Sequence, residues 1–203
     1  LLGAVRHGGF IPWDDDVDLV MPLEDFDRFI RIAQKELGDA YFVQTCMNDP
    51  GFPKVFLKVR REDSYICEDK WEKRRMHAGI YIDIMPLAGF PAGKWKKKIF
   101  LHAFSFWEQL CSFDKPKTSH IGVKILFSMM KRLPLQFKYR MREKVVRLSD
   151  RVGRKSGLVC SYGSHYKPMA RRVMQQSWFT GKEQMCFEGQ EFYVPAGWKD
   201  YLE

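Results

Sequence analysis

The chain has 203 residues, 45% of them apolar, and a formal charge of +9. That length is enough to bury a core, no apolar run approaches the roughly 20 residues of a membrane-spanning helix, and the five scattered cysteines lack the C-x-x-C spacing of a zinc site. The charge favours an anionic partner (nucleotide, phosphorylated glycan, nucleic acid or membrane surface) without choosing among them.

Residues 1–9 read as the tail of a helix and a glycine turn at Gly8-Gly9. Arg6 and His7 then stand just before an acidic stretch, placed either to meet a phosphate or, for Arg6, to cap the helix C-terminus. Residues 10–21, Phe-Ile-Pro-Trp-Asp-Asp-Asp-Val-Asp-Leu-Val-Met, read as a loop running into a buried strand. Residues two apart in a strand share a face, so Asp16 and Asp18 project together. Paired carboxylates repel unless a cation sits between them, and hard cations such as Mg²⁺ or Mn²⁺ take carboxylate and phosphate oxygens.

Pro22, Glu24 and Asp25 open a helix whose apolar positions are Phe26, Phe29, Ile30, Ala33 and Leu37, with Gly38 ending it. Strands are expected at 41–46 and 55–60. Lys58 and Arg60 share a face of the second, either reaching phosphates or forming the wet face of an edge strand. A short strand at 64–67 and a polar turn at 68–78 follow, with His77 read as a surface residue. Residues 80–85, Ile-Tyr-Ile-Asp-Ile-Met, form an apolar strand interrupted by Asp83, which is costly to bury without a partner. Beside the first acidic strand, Asp83 completes a three-carboxylate cluster suited to metal-assisted phosphoryl transfer. Residues 86–93 are expected to close the strand with a loop.

Residues 94–154 carry helical spacing, lysines and aromatics, with a turn near Lys115 to Ser119 and a break at Pro134. Such basic amphipathic helices are either ordinary core helices with solvated lysines or helices lying on an anionic membrane. Residues 155–203 read as short strands followed by a helix start, their aromatics lining a pocket or packing the far edge of the sheet.

Three blocks then resemble the LicD/fukutin family: Leu1-Leu2-Gly3-Ala4-Val5-Arg6-His7-x-Gly9-Phe10-Ile11-Pro12-Trp13-Asp14-Asp15-Asp16-Val17-Asp18, Gly79-Ile80-Tyr81-Ile82-Asp83-Ile84-Met85-Pro86-Leu87, and Phe187-Glu188-Gly189 with Val194-Pro195. The resemblance implies an α+β fold, a small mixed nucleotidyltransferase-like sheet with packed helices. The chain would form one such domain over 1–203, belonging to a longer protein at both ends, with 94–154 as a helical insertion. Matched by position, Asp16, Asp18 and Asp83 are the metal-binding and catalytic acids, holding Mg²⁺ or Mn²⁺. Arg6, His7, Lys58 and Arg60 are the candidates for phosphate. The family's aspartate after Pro-Leu is Ala88 here.

The implied reaction moves a phosphorylated alcohol, such as phosphorylcholine, from a CDP-linked donor to a hydroxyl of a glycan or its lipid-linked precursor, with CMP leaving. Lipopolysaccharide or teichoic acid assembly is the setting this implies, in the cytoplasm or at the inner face of the membrane, or in the Golgi lumen of a eukaryote. Peripheral membrane contact is compatible with it, and no nucleic acid partner is expected. Two other readings share the residues. One is a true nucleotidyltransferase releasing pyrophosphate. The other is a cation-binding module without activity, against which stand the absent EF-hand spacing and an unexplained Asp83.

Overall fold

The computed structural model describes residues 2–13, 16–66, 76–112, 121–163 and 170–202. Its architecture is mixed α+β. Helix α1 (Leu2–His7) leads through the loop to strand β1 (Asp18–Pro22), helix α2 (Leu23–Leu37), and strands β2 (Tyr41–Gln44), β3 (Leu57–Arg61) and β4 (Tyr81–Gly89). Helices α3 (Lys94–Cys111), α4 (Ile121–Lys131) and α5 (Leu135–Gly153) follow. Strands β5 (Leu158–Ser161) and β6 (Val173–Gln175), a 3-10 turn (Gln176–Phe179), the hairpin β7 (Lys182–Phe187) and β8 (Gln190–Pro195), and helix α6 (Trp198–Leu202) complete the order.

Strand β4 organises the six-stranded sheet. One of its edges takes β1 in parallel, with the Asp83 N–H donating to Val17 O at 2.9 Å. Its other edge is shared end to end by two antiparallel neighbours. Strand β3 pairs with it as far as Ile84, and β5 begins at Leu87. Strands β2 and β6 extend the two halves. Pro86 falls at the seam between β3 and β5. Its carbonyl still accepts from the Tyr162 N–H (3.1 Å), and its missing N–H breaks no rung of either register. The strand therefore runs on to Gly89, where a loop over 86–93 was expected.

The period of two sorts the sheet into two faces. Helix α2 lays Phe26 and Ala33 on Val43, Leu57, Val59 and Ile84. Helices α3 and α5 bring Leu101, Phe104 and Val146 onto Ala88, Phe90, Cys160 and Tyr162. Ala88 is thus a core position, on the opposite face of β4 from Asp83. The other face carries Gln44, Lys58, Arg60, Asp83, Met85 and Met174, flanked by Phe52 and Phe56 on one side and by Trp178 and Phe179 on the other.

Three expectations change. Strand β1 is not buried: Leu19 is 39% and Val20 42% exposed, because β1 has β4 as its single ladder partner among the described residues and little covers it. Lys58 and Arg60 are not on a wet edge, since β3 lies between β2 and β4 and both side chains are buried. No strand forms over residues 64–66; Cys67, the polar turn at 68–75 and the turn near Lys115 to Ser119 lie outside the described residues. The four described cysteines form no disulfide among the described residues, and burial pushes Cys111 and Cys160 up to about 12, which keeps them protonated and inert.

Candidate active site

The site begins with register. Asp18 on β1 pairs with Asp83 on β4, and Asp83 pairs with Lys58 on β3, so one rung across three strands carries two acids and a cation. The charges meet on the sheet face opposite α2, α3 and α5. Lys58 Nζ approaches Asp83 Oδ1 to 2.8 Å as an ion pair, outside hydrogen-bond geometry, and that buried oxygen has no other donor among the described residues. Burial raises the Asp83 carboxyl above its ordinary range; Lys58 opposes the rise, Asp16 adds to it, and Arg60 opposes it more weakly. The influence of Asp16 brings the loop acid into the same field, although Asp16 and Asp18 are themselves exposed.

A second layer holds Lys58 in place. Its ammonium stands 3.0 Å from the centroid of the Tyr81 ring, and the Arg60 guanidinium lies 4.7 Å from the same centroid. Arg60 is fully buried. Its Nε donates to Gln44 Oε1 (2.6 Å) and its Nη1 to Gly79 O (2.6 Å). Gln44 Nε2 donates in turn to Asp49 Oδ2 (2.8 Å), which also accepts from the His77 N–H (2.9 Å). Gly79 has to be glycine: a Cβ there would lie 2.1 Å from Arg61 O. His77 is half-buried, its ring stacked on Phe42 at 4.8 Å and its Nε2 3.0 Å from Glu62.

Register thus sets Asp18, Asp83 and Lys58 on one rung, with Asp16 in electrostatic reach of Asp83 and Arg60 behind them as a brace; the expected close cluster of three carboxylates does not form among the described residues. Arg6 and His7 lie exposed at the end of α1, His7 edge-on to Trp13 at 6.1 Å, and neither forms an ion pair among the described residues. Asp14 and Asp15 lie outside the described residues. The loop that delivers Asp16 is fastened from far along the chain: Phe10 packs edge-on against Phe187 at 5.0 Å, at the tip of the β7–β8 hairpin. Glu188 and Gly189 both have positive φ (50° and 74°), the two-residue reversal that suits a tight hairpin and a glycine.

One further cation stands on this face. Arg172, half-exposed just before β6, rests its Nη1 3.2 Å from the thioether of Met85, two residues along β4 from Asp83. No carboxylate pairs with it among the described residues, and a thioether is a weak acceptor for a guanidinium. Nothing in the irregular stretch around it marks Arg172 in the sequence.

Whether these groups suit a divalent cation is a question of donors. Carboxylate oxygens are the ligands Mg²⁺ and Mn²⁺ prefer, and Asp83 has a buried oxygen without a hydrogen-bond donor. Among the described residues no three acid, imidazole or thiol groups stand close enough to hold an ion by themselves. Mg²⁺ commonly takes one or two carboxylates and completes its shell with water and substrate phosphate, so the donor chemistry fits.

Residues 1–112 match the family described as LicD/FKTN/FKRP, nucleotidyltransferase domain. The chain belongs to this family. As a LicD-type protein it is a phosphotransferase enzyme. It is similar to the lipopolysaccharide cholinephosphotransferase LicD of Haemophilus influenzae, 28% identical over 213 aligned residues that cover all of this chain and 76% of that one. Ribitol 5-phosphate transferase FKRP of Mus musculus is 35% identical over 72 residues, 35% of this chain and 15% of its own length. The Homo sapiens protein of the same name is also 35% identical over 72 residues, covering 14% of its length. These relatives, by their names, transfer phosphorylated groups. No solved structure matches the chain.

Proposed function

We propose that the chain transfers a phosphorylated alcohol of the phosphorylcholine type from a CDP-linked donor to a hydroxyl of a cell-surface glycan or its lipid-linked precursor, and releases CMP. The observation that carries this reading is the Asp18–Asp83–Lys58 rung, with Asp16 in its field. A rung of acids beside a cation suits an anionic diphosphate only if a divalent cation offsets the carboxylates. Asp16, Asp18 and Asp83 are the residues that would hold Mg²⁺ or Mn²⁺, which supplies charge neutralisation on the donor's phosphate oxygens.

The chain's own groups do the rest. The acceptor hydroxyl attacks the phosphorus that bears the alcohol; the new oxygen–phosphorus bond forms as the bond to the bridging oxygen breaks, and CMP carries that oxygen away. The hydroxyl proton passes to a carboxylate of the rung, with Asp83 the candidate because burial raises its affinity for a proton. Lys58 offsets charge developing on the phosphate oxygens, and Arg172 binds a phosphate of the donor. Arg60 holds Tyr81 and Lys58 in position and makes no substrate contact. Arg6 and His7, on the helix before the acidic loop, meet the donor once it is bound. A lipid-linked acceptor places the reaction at a membrane face.

Incubation with a panel of CDP-linked alcohols and a glycan acceptor, followed by mass spectrometry, tests the proposal. Release of CMP with gain of a phospho-alcohol on the acceptor is the expected result. Pyrophosphate release from a nucleoside triphosphate would replace it with true nucleotidyl transfer. Ca²⁺ binding with no donor binding would reduce the site to a cation-binding module.

A further inference from the structure

Helix α4 has its apolar side turned outward. Among the described residues, Phe127 and Lys131 tie it to α3: Phe127, 4% exposed, meets Phe106 edge-on at 6.3 Å, and Lys131 Nζ donates to Gln109 O (3.4 Å) and to Ser112 O. At 3.6 residues per turn, Ile121, Ile125 and Met129 form one stripe on the side away from Phe127, with Leu126 beside it. Their exposures are 73%, 57%, 65% and 51%. A water-facing helix side normally carries polar residues, and a contiguous aliphatic stripe marks a surface that meets something other than water. The exposed Lys124 borders the stripe. The first turns of α3 repeat the mixture, with Trp95 (77%) and Ile99 (62%) exposed among Lys94, Lys96 and Lys98.

Charge says what that surface meets. Residues 94–154 contain 16 lysines and arginines against 4 acids, a net +12, whereas the rest of the chain holds 18 against 21, a net −3. The chain's positive excess therefore sits entirely in the helical segment. A second copy would bring one strongly basic segment against another. An anionic lipid surface neutralises it and takes the aliphatic stripe into the boundary between headgroups and acyl chains.

We propose that α4 lies flat on an anionic lipid surface, with Ile121, Ile125, Leu126 and Met129 facing the bilayer and the surrounding lysines facing the headgroups. No helix among the described residues is long and apolar enough to cross a membrane, so this is contact with one face. The inference rests on α4 and the charge distribution, not on the acidic rung, and stands or falls independently of the reaction proposed above.

The test is co-sedimentation of the full chain with vesicles of phosphatidylcholine alone and with about 30% phosphatidylglycerol, where surface charge attracts basic segments. Binding is expected on the anionic vesicles and is weakened by salt. Ile125→Glu with Met129→Glu lowers the bound fraction at least about tenfold, because charge replaces the inserted apolar area, while circular dichroism and the thermal midpoint stay unchanged. A milder pair, Ile125→Ser with Met129→Ser, gives an intermediate loss and covers the case in which the first pair misfolds. Vesicle binding equal to the unsubstituted chain in both pairs overturns the proposal. So does a chain that ignores the vesicles, or one that forms a dimer which the substitutions abolish.

Discussion

Two buried ion pairs in this chain do different work. Arg142 and Glu108 meet at 2.7 Å between α5 and α3, with side chains 1% and 3% exposed. Arg142 also donates to Pro53 O (2.5 Å) and contacts Cys46 Sγ (3.7 Å), so one guanidinium ties two helices to the loop after β2. Lys58 and Asp83 meet at 2.8 Å on the sheet, 8% and 9% exposed, next to an open edge strand and a loop acid. The first pair is enclosed by protein and is a strut. The second lies on the sheet face opposite α2, α3 and α5, beside the exposed Asp16 and Asp18, and burial together with Asp16 raises its carboxyl. Ion pairs of similar length are thus distinguished by what else can reach them.

Breaking the strut gives the largest loss. Arg142→Met leaves Glu108 buried without its partner and should cost about 3–5 kcal/mol in urea unfolding. Adding Glu108→Leu should recover most of it, since a buried pair can be replaced by well-packed apolar side chains. The same double exchange at Lys58 and Asp83 should leave the chain folded and without transfer. If it stayed active, the contrast between the two pairs would collapse.

Next comes Arg172. A hydrogen bond to a charged group contributes about 1.5–3 kcal/mol, so Arg172→Gln should raise the KM for the donor by roughly ten- to a hundredfold with little change in thermal midpoint. An unchanged KM with lowered stability would return Arg172 to a packing role against Met85.

The contrast is also readable in titration. Because burial raises Asp83 in the folded chain, its ionised form destabilises the fold. That penalty is absent below the unfolded pKa of about 3.9 and grows as pH rises through the raised folded value. In the absence of divalent cations, carboxyl NMR should show Lys58→Met moving the Asp83 midpoint further up and Asp16→Asn moving it down. Movement in the opposite sense for either variant would show that the neighbours act differently from the arrangement described.

The smallest effect belongs to Arg147, which links α5 to Asp27 on α2 (2.6 and 2.9 Å) and to Glu143 (2.6 Å) but is 40% exposed. Solvent screens such pairs, so Arg147→Ala should cost no more than about 1 kcal/mol by thermal unfolding. A loss as large as that for Arg142→Met would remove enclosure as the distinguishing factor.

The acids of the candidate site are legible because a strand's period of two is local: Asp16, Asp18 and Asp83 each stand out against Val17, Leu19, Ile82 and Ile84, though their separation is not. The exposure of β1 is not, since the run Leu19-Val20-Met21 reads alike whether a strand has one neighbour or two. The sequence pattern ends β4 at Pro86 because the seam between β3 and β5 exists only in the assembled sheet. The two readings of Lys58 and Arg60 are separated only by Tyr81, Gln44 and Gly79, which enclose them in the folded chain. The contact between Phe10 and Phe187 depends on a hairpin folding back over nearly the whole chain, which no local pattern announces.

The most direct measurement is single-turnover transfer by the Asp83→Asn variant, with circular dichroism on the same sample. The account predicts a loss of at least about a hundredfold, the scale of a lost acid–base group, in a chain that keeps its fold. Transfer at a rate near that of the unsubstituted chain would contradict it.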